Sequence, residues 1–325
     1  MARRPRIEYE NAFYHVTARG NGRGRIYRDD FDREMFLSIV SDAYDRFGFI
    51  IHAFVLMNNH YHFLIETPHA NLSASMRHVN GVYTQLYNKR HKTVGHLFQG
   101  RYKAIVVDSD EYYLSLIRYI HRNPACAKTP VALSKFKYSG HMAMIDKGWG
   151  GKWKKWYHRD NILKEFGKQE SSAIRNYVDY VNKRESKPSP FENVVGGYAL
   201  GKSEFTDWLW SEFIDGKADG EIVGVQALRP KIETNIILEV IEKVSGVKAA
   251  DIFVAGRSKG FLRKIRMLVL YIINKHTGVS QKEIGQLAGG MSAKAVSESV
   301  GRFAKELQVD EEINKVYKRV MRLLS

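Results

Sequence analysis

Two histidines one residue apart, His60-Tyr61-His62, offer the first chemistry in this 325-residue chain. In a strand, side chains at i and i+2 share a face, so the two imidazoles stand side by side as two ligands of one metal ion must. Tyr61 then points to the opposite face. Two strand histidines half buried for packing are the plain alternative. A second pair, Tyr119 and Asn123, is spaced i and i+4 and shares one face of a helix. A tyrosine hydroxyl beside a bound cation is a competent nucleophile toward phosphate. The ion withdraws charge from the phosphate and lowers the cost of ionising a phenol of pKa about 10. The chain holds 18 tyrosines, however, and most of them are expected in cores. His121 lies about 200° around the helix from Tyr119 and is not expected in a common site. Glu66 shares the His62 face but sits too far along the strand to ligate.

These residues need elements to hold them. Ala12 to Ala18 is rich in β-formers and runs into the turn-prone Arg19-Gly-Asn-Gly-Arg-Gly24. A helical period covers Asp32 to Phe47. Strands are expected over Phe49–Leu56, Tyr61–Glu66 and Tyr102–Val107, with helices over Leu72–Lys89 and Tyr112–Arg122, the last stopped by Pro124. The first six elements, β-α-β-β-α-β, make the split βαβ, ferredoxin-like arrangement, so the fold class is α+β with a C-terminal helix against or beside the sheet. Beyond residue 130 the pattern weakens. Helices are expected over Ile174–Asn182 and Glu204–Phe213, a linker break at Lys187-Pro-Ser-Pro190, and a loose joint at Gly216–Gly224. From residue 230 the chain is strongly helical. Three regions are therefore expected: 1–130, a helical extension and linker at 131–229, and an all-α domain at 230–325.

The last region carries a helix-turn-helix pattern. Ser280-Gln-Lys-Glu283 is a capping box, a short helix runs to Leu287, Ala288-Gly-Gly290 turns, and Ser292–Leu307 is the next helix. Ser292, Lys294 and Ser297 at its start are candidate base readers in a major groove. Arg257, Lys259, Arg263 and Lys264 are candidate phosphate holders. In the first region, Arg19, Asn21, Arg23 and Arg25 of the Gly-rich loop, with Gln99, Arg101 and Lys103 before the last strand, are candidate contacts to a nucleic-acid backbone.

Charge favours that partner. Fifty-one Lys and Arg against 35 Asp and Glu give +16, a sequence-independent attraction to polyanions. No amphipathic helix shows a dedicated basic face, so a membrane surface is not an expected partner. One cysteine, Cys126, excludes an internal disulfide framework and a zinc–thiolate cluster. With no apolar signal segment and no run of about 20 apolar residues, a cytoplasmic location is expected.

Several ordered motifs resemble the REP-associated tyrosine transposases, relatives of the single-strand insertion-sequence transposases in the HUH endonuclease class. They are Ile7-Glu-Tyr9, Tyr14-His-Val-Thr-Ala-Arg-Gly-Asn21, Asn59-His-Tyr-His-Phe63, Gly95-His-Leu-Phe-Gln-Gly-Arg-Tyr-Lys103, Tyr119-Ile-His-Arg-Asn-Pro124 and Pro190-Phe-Glu-Asn-Val-Val-Gly-Gly197. The resemblance implies that His60 and His62 bind Mg²⁺ or Mn²⁺ and that Asn123 completes the site. It also implies that Tyr119 attacks a scissile phosphate, leaving a 5′-phosphotyrosine and a free 3′-OH. Single-stranded hairpin DNA is the implied substrate, with duplex DNA a further partner through the C-terminal region. That region resembles, more faintly, the DNA-binding domain of bacterial replication initiators. A DNA-binding regulator on an inactive nuclease domain is the rival reading. An RNA-binding sheet is weaker, because no RNP-type aromatic strand motif is present. The sequence leaves the oligomeric state open.

Overall fold

The computed structural model describes residues 6–183, 189–214, 227–228, 231–253, 260–277 and 279–324, which fall into two compact units, Met1–Leu228 and Arg229–Ser325. Each unit closes its own hydrophobic core.

In the first unit the chain runs β1 (Ala12–Arg19), α1 (Asp30–Phe47), β2 (Ile50–Met57), β3 (His60–Thr67), α2 (Leu72–His91), β4 (Lys103–Val107) and α3 (Ser109–Arg122). The four strands lie in the order β2-β3-β1-β4, all antiparallel. That order is the one the split βαβ pattern requires. β1 faces β3 with Thr17 opposite His62 and Arg19 opposite His60. Residues facing each other across a ladder share a face of the sheet, so this pairing commits every side chain of both strands.

One face is covered by α1 and α2. Phe36 of α1 meets Tyr61 and Phe63 of β3 and stacks edge-on against Tyr83 of α2. Tyr61 completes its burial there by donating to Asn80 Oδ1 at 2.8 Å. The opposite face, which carries His60 and His62, is crossed by α3. With helices on both sides, β2 and β3 are buried along nearly their whole length rather than on alternate residues.

The described residues between 131 and 214 pack into this unit and cover both edges of the sheet. They include α4 (Gly140–Ile145), α5 (Lys147–Lys152), α6 (Arg159–Lys164), α7 (Glu170–Asn182) and α8 (Ser203–Leu209). Along β2, Leu56 N–H donates to Tyr138 O and Ile51 N–H to Trp156 O. Along β4, a hairpin of β5 (Val194–Val195) and β6 (Ala199–Leu200) extends the sheet to six strands, β6 lying parallel to β4. Gly196 and Gly197 form its turn at φ 60° and 78°, the left-handed pair that a tight type I′ hairpin demands. The expected helical extension is thus corrected: it is helical with a strand hairpin, and it is part of the first compact unit. Strands of two residues leave no periodic trace; only pairing with β4 makes them strands. The expected joint at 216–224 and the first half of the Lys187–Pro190 break lie outside the described residues.

The second unit holds α9 (Thr234–Ser245), α10 (Ala249–Ile252), α11 (Gly260–His276), α12 (Gln281–Leu287), α13 (Ala293–Val309) and α14 (Glu311–Leu324). Ser280 and Glu283 form the capping box at the start of α12. Between α12 and α13 the chain folds tightly, with Met291 N–H donating to Gly285 O at 2.9 Å. A Cβ on Gly285 would stand 2.0 Å from Met291 O, so only glycine permits this close a turn.

Candidate active site

Four side chains from two separate stretches of sequence meet on the α3 face of the sheet. His60 and His62 stand edge to face on β3, ring centres 5.0 Å apart. The Tyr119 ring lies edge-on to His62 at 6.0 Å. Asn123, the residue that closes α3, donates from its amide to Tyr119 O at 3.1 Å and also interacts with the His60 ring and the Tyr119 hydroxyl. His121 is turned away, as its helical angle requires, and is buried against Tyr177 at 2.8 Å. Glu66 is engaged elsewhere, accepting from His52 Nε2 at 2.8 Å.

Burial sets the charge state of the site. Desolvation holds His60 down to about 4, helped by the nearby charge of Arg19 and opposed by its hydrogen bond to Asn123. His62, only 8% exposed, is held well below the ordinary histidine range by desolvation, then by His15, His60 and Arg19. Both rings are therefore neutral at pH 7, the form that ligates metals. The same desolvation raises the Tyr119 phenol, with Asn123 and Arg19 pulling it back.

These residues fit a divalent cation. Two neutral imidazoles and an amide oxygen suit Mn²⁺, and Mg²⁺ less well, since its preferred ligands are all oxygen. Among the described residues no group of three His, Cys, Asp or Glu side chains forms a metal cage. His60, His62 and Asn123 would hold such an ion, with water and phosphate oxygens supplying further ligands.

Three further residues belong to the site and were not expected. His15 of β1 sits diagonally from His62, its Nε2 at 2.8 Å from His62 Nδ1, and is 4% exposed. Asn59 touches His60 Nδ1 through its Oδ1 at 2.7 Å. Phe191 packs on both His15 and Tyr119, with ring centres 4.5 and 4.7 Å away. The β1–β3 register that finds His15 is a tertiary fact. Asn59, adjacent to His60, is the one that sequence alone could have flagged.

The expected DNA contacts divide. Arg19, Asn21, Arg23 and Arg25 are exposed, as is Gln99, whose backbone N–H donates to Arg19 O at 2.8 Å and ties the two loops together. A cavity of about 790 Å³ opens beside Tyr119, its walls including Arg6, Arg101, Lys103 and Phe191. Apolar side chains such as Ile7 and Ile105 line it together with these basic ones. In the second unit Lys294 and Ser297 are exposed near the start of α13. Ser292, also exposed, is the N-cap of α13, its hydroxyl oxygen accepting from Ala295 N–H at 3.2 Å. Of the expected phosphate holders, Arg263 pairs with Glu306 at 3.3 Å and Lys264 with Asp310 at 2.6 Å. Carboxylates from α13 and the residues after it meet these cations only once the helices pack. Arg257 and Lys259 lie outside the described residues.

Comparison with known families now has a geometry to meet. The family described as "Transposase IS200 like" matches residues 8–123, a span that opens just before β1 and closes on Asn123. Residues 8–123 are thus similar to an IS200-like transposase. All four site residues lie within this matched span, and Phe191 and the edge hairpin are supplied from beyond it. Among solved structures, one described as a REP-associated tyrosine transposase bound to a REP hairpin is similar at 16% identity with a TM-score of 0.39, over 46% of this chain and 88% of that one. No curated protein matches the chain.

A pH dependence follows from the buried rings. Desolvation holds His15 down to about 3 and His60 and His141 to about 4, against an ordinary 6.5. Below about pH 6.5 the unfolded chain takes up protons that the folded chain refuses. Stability present above that value is therefore lost progressively as pH falls toward 4. The urea midpoint of unfolding is expected to drop between about pH 7 and pH 4.5, with most of the loss below 6.5. A midpoint unchanged over that interval would contradict neutral buried rings.

Proposed function

We propose that the protein cuts and rejoins single-stranded DNA through a covalent tyrosine intermediate. The observation that carries this reading is the meeting of His60, His62, Tyr119 and Asn123 on one sheet face inside the span similar to an IS200-like transposase. Tyr119 Oη attacks the scissile phosphorus, the phenolic proton is lost, and the 3′ oxygen leaves as a free 3′-OH. A 5′-phosphotyrosine remains, and attack by a 3′-OH on it reverses the step. Because burial keeps the phenol protonated at rest, it ionises only in an occupied site. A Mg²⁺ or Mn²⁺ ion held by His60, His62 and Asn123 would neutralise the phosphate and favour the phenolate. Arg19 adds a fixed positive charge that acts on the rings and the phenol alike.

The expected substrate is hairpin DNA. The resemblance to REP-associated transposases supports it, as does a cavity lined by basic and aromatic side chains, suited to an unpaired strand. The second unit, with its tight α12–α13 turn and exposed Lys294 and Ser297, reads as a helix-turn-helix domain for duplex DNA.

Incubation with 5′- and 3′-labelled hairpin DNA and Mn²⁺ tests the chemistry. Wild-type protein is expected to form a covalent adduct on the 5′ side of the cut. Tyr119→Phe should lose at least about a thousandfold of the adduct rate while binding the hairpin within about twofold, since the ring still packs. Adduct at the wild-type rate in this variant would assign the nucleophile to another residue and leave the regulator reading standing.

Removing residues 229–325 tests the second unit. The remaining chain retains its own core and all four site residues and is expected to cleave hairpins. Its duplex affinity should fall and the salt dependence of binding should become shallower, because fewer counterions are released. Unchanged duplex affinity and salt slope would show that the C-terminal helices serve another purpose.

A further inference from the structure

A helix fixes where a side chain starts but leaves its χ1 more than one open well, so the end of a tyrosine is placed by what packs around it. Three rings stand around Tyr119 of α3 at near right angles. His62 lies 6.0 Å away at 82°, His15 6.4 Å away at 86° and Phe191 4.7 Å away at 75°. Phe191 is the nearest of the three. It also packs on His15 at 4.5 Å, so its ring bridges Tyr119 to β1. Unlike the two histidines, it lies outside the matched span 8–123.

The segment 189–202 brings Phe191 to this place. Its first turn, Pro190–Asn193, is started by the fixed φ of proline and by Phe191 N–H donating to Ser189 Oγ at 3.4 Å. The β5–β6 hairpin follows at once. Val106 N–H donates to Tyr198 O and Asp108 N–H to Leu200 O, both at 2.8 Å, which sets the register of β6 on β4. Asp108 is the N-cap of α3, so the hairpin is aligned with the helix that carries Tyr119. Two side-chain contacts reach α3 directly. Asn193 Nδ2 donates to Tyr112 Oη at 3.5 Å, and Lys202 pairs with Glu111 at 2.6 Å. Both groups of the ion pair are exposed, so it adds little, and the backbone bonds to β4 carry the alignment. The segment is thus fastened to the first turns of α3, and Phe191 meets Tyr119 about two turns further along.

We infer that Phe191 is a positioning residue for the nucleophile: held by the 189–202 segment, its ring confines the Tyr119 ring to the orientation that faces the histidine pair. The inference rests on the reading of Tyr119 as the nucleophile. Without Phe191 the neighbouring rings at 6.0 and 6.4 Å leave Tyr119 open to the cavity that both residues line. The ring then samples other wells, and only the fraction that faces the histidines reacts. A displacement of about 1 Å at a reacting group costs on the order of a hundredfold in rate. Because Phe191 lines the cavity, stacking on DNA is the competing role. The two roles separate kinetically: stacking shows in affinity, positioning in the rate at saturation.

Two readouts test it on the full-length protein. The first is covalent adduct formation on labelled hairpin DNA with Mn²⁺, followed across DNA concentrations. Phe191→Ala is expected to lower the saturating rate roughly a hundredfold and to leave the hairpin dissociation constant close to that of wild type. Phe191→Leu, which keeps most of the apolar bulk, should recover most of the rate. A raised dissociation constant with a wild-type saturating rate would make Phe191 a DNA contact and overturn the inference. The second readout needs neither DNA nor metal. Nuclear Overhauser contacts between the Tyr119 and His62 rings, in protein labelled on its tyrosine and histidine rings and assigned with Tyr119→Phe, are expected in wild type and lost in Phe191→Ala. Their persistence in that variant overturns the inference while leaving the nucleophile reading standing. A wild-type protein that forms no adduct would overturn the nucleophile reading, and the spectra would still decide whether Phe191 sets the Tyr119 ring. Phe191 is half-buried and its loss is not expected to prevent folding. If Phe191→Ala fails to fold, Phe191→Val decides by the same two readouts.

Discussion

The antiparallel pairing of β1 with β3 is the constraint on which the rest depends. Thr17 opposite His62 and Arg19 opposite His60 bring the basic loop, the histidine pair and His15 to one face. A slip of one residue would turn both histidines into the α1–α2 core and bring Tyr61 and Phe63 out. Burial on both sides of β3 makes that slip costly. Tyr61 and Phe63 fill the core opposite the site, and the Tyr61 hydroxyl is matched to Asn80. The apolar packing of one face thus secures the chemistry of the other.

Water exclusion then acts in opposite senses on the site residues. Desolvation keeps His60 and His62 neutral and ready to ligate, while it keeps the Tyr119 phenol protonated. In the proposed reaction this leaves the histidine pair prepared for a cation and the Tyr119 phenol idle at rest. This asymmetry suits an enzyme whose nucleophile is to react only when phosphate and cation are both in place. Phe191, leaning on His15 and Tyr119, contributes to the desolvation from outside the matched family span.

Much of this was legible from residue order. The His60–His62 spacing implied one face of a strand, Tyr119 and Asn123 implied one face of a helix, and the β-α-β-β-α-β order implied the antiparallel sheet. What escaped was non-local. His15 becomes a neighbour of His62 only through strand register, and the Val194–Leu200 hairpin exists only because β4 offers an edge. Arg263 and Lys264 read as free cations until α13 and its following turn bring carboxylates against them. Ser292 was placed correctly at a helix start, and that position commits its oxygen to the cap. Charge and hydroxyl groups are visible in a sequence; their partners are not.

The central claim is that His60, His62 and Asn123 form one cation site beside Tyr119. Anomalous diffraction from crystals of the full-length protein grown with Mn²⁺ tests it most directly. A single strong peak is expected on the α3 face of the sheet, bound by Nε2 of both histidines with the Asn123 amide oxygen alongside. A manganese peak bound elsewhere, with none between the two rings, would contradict the account.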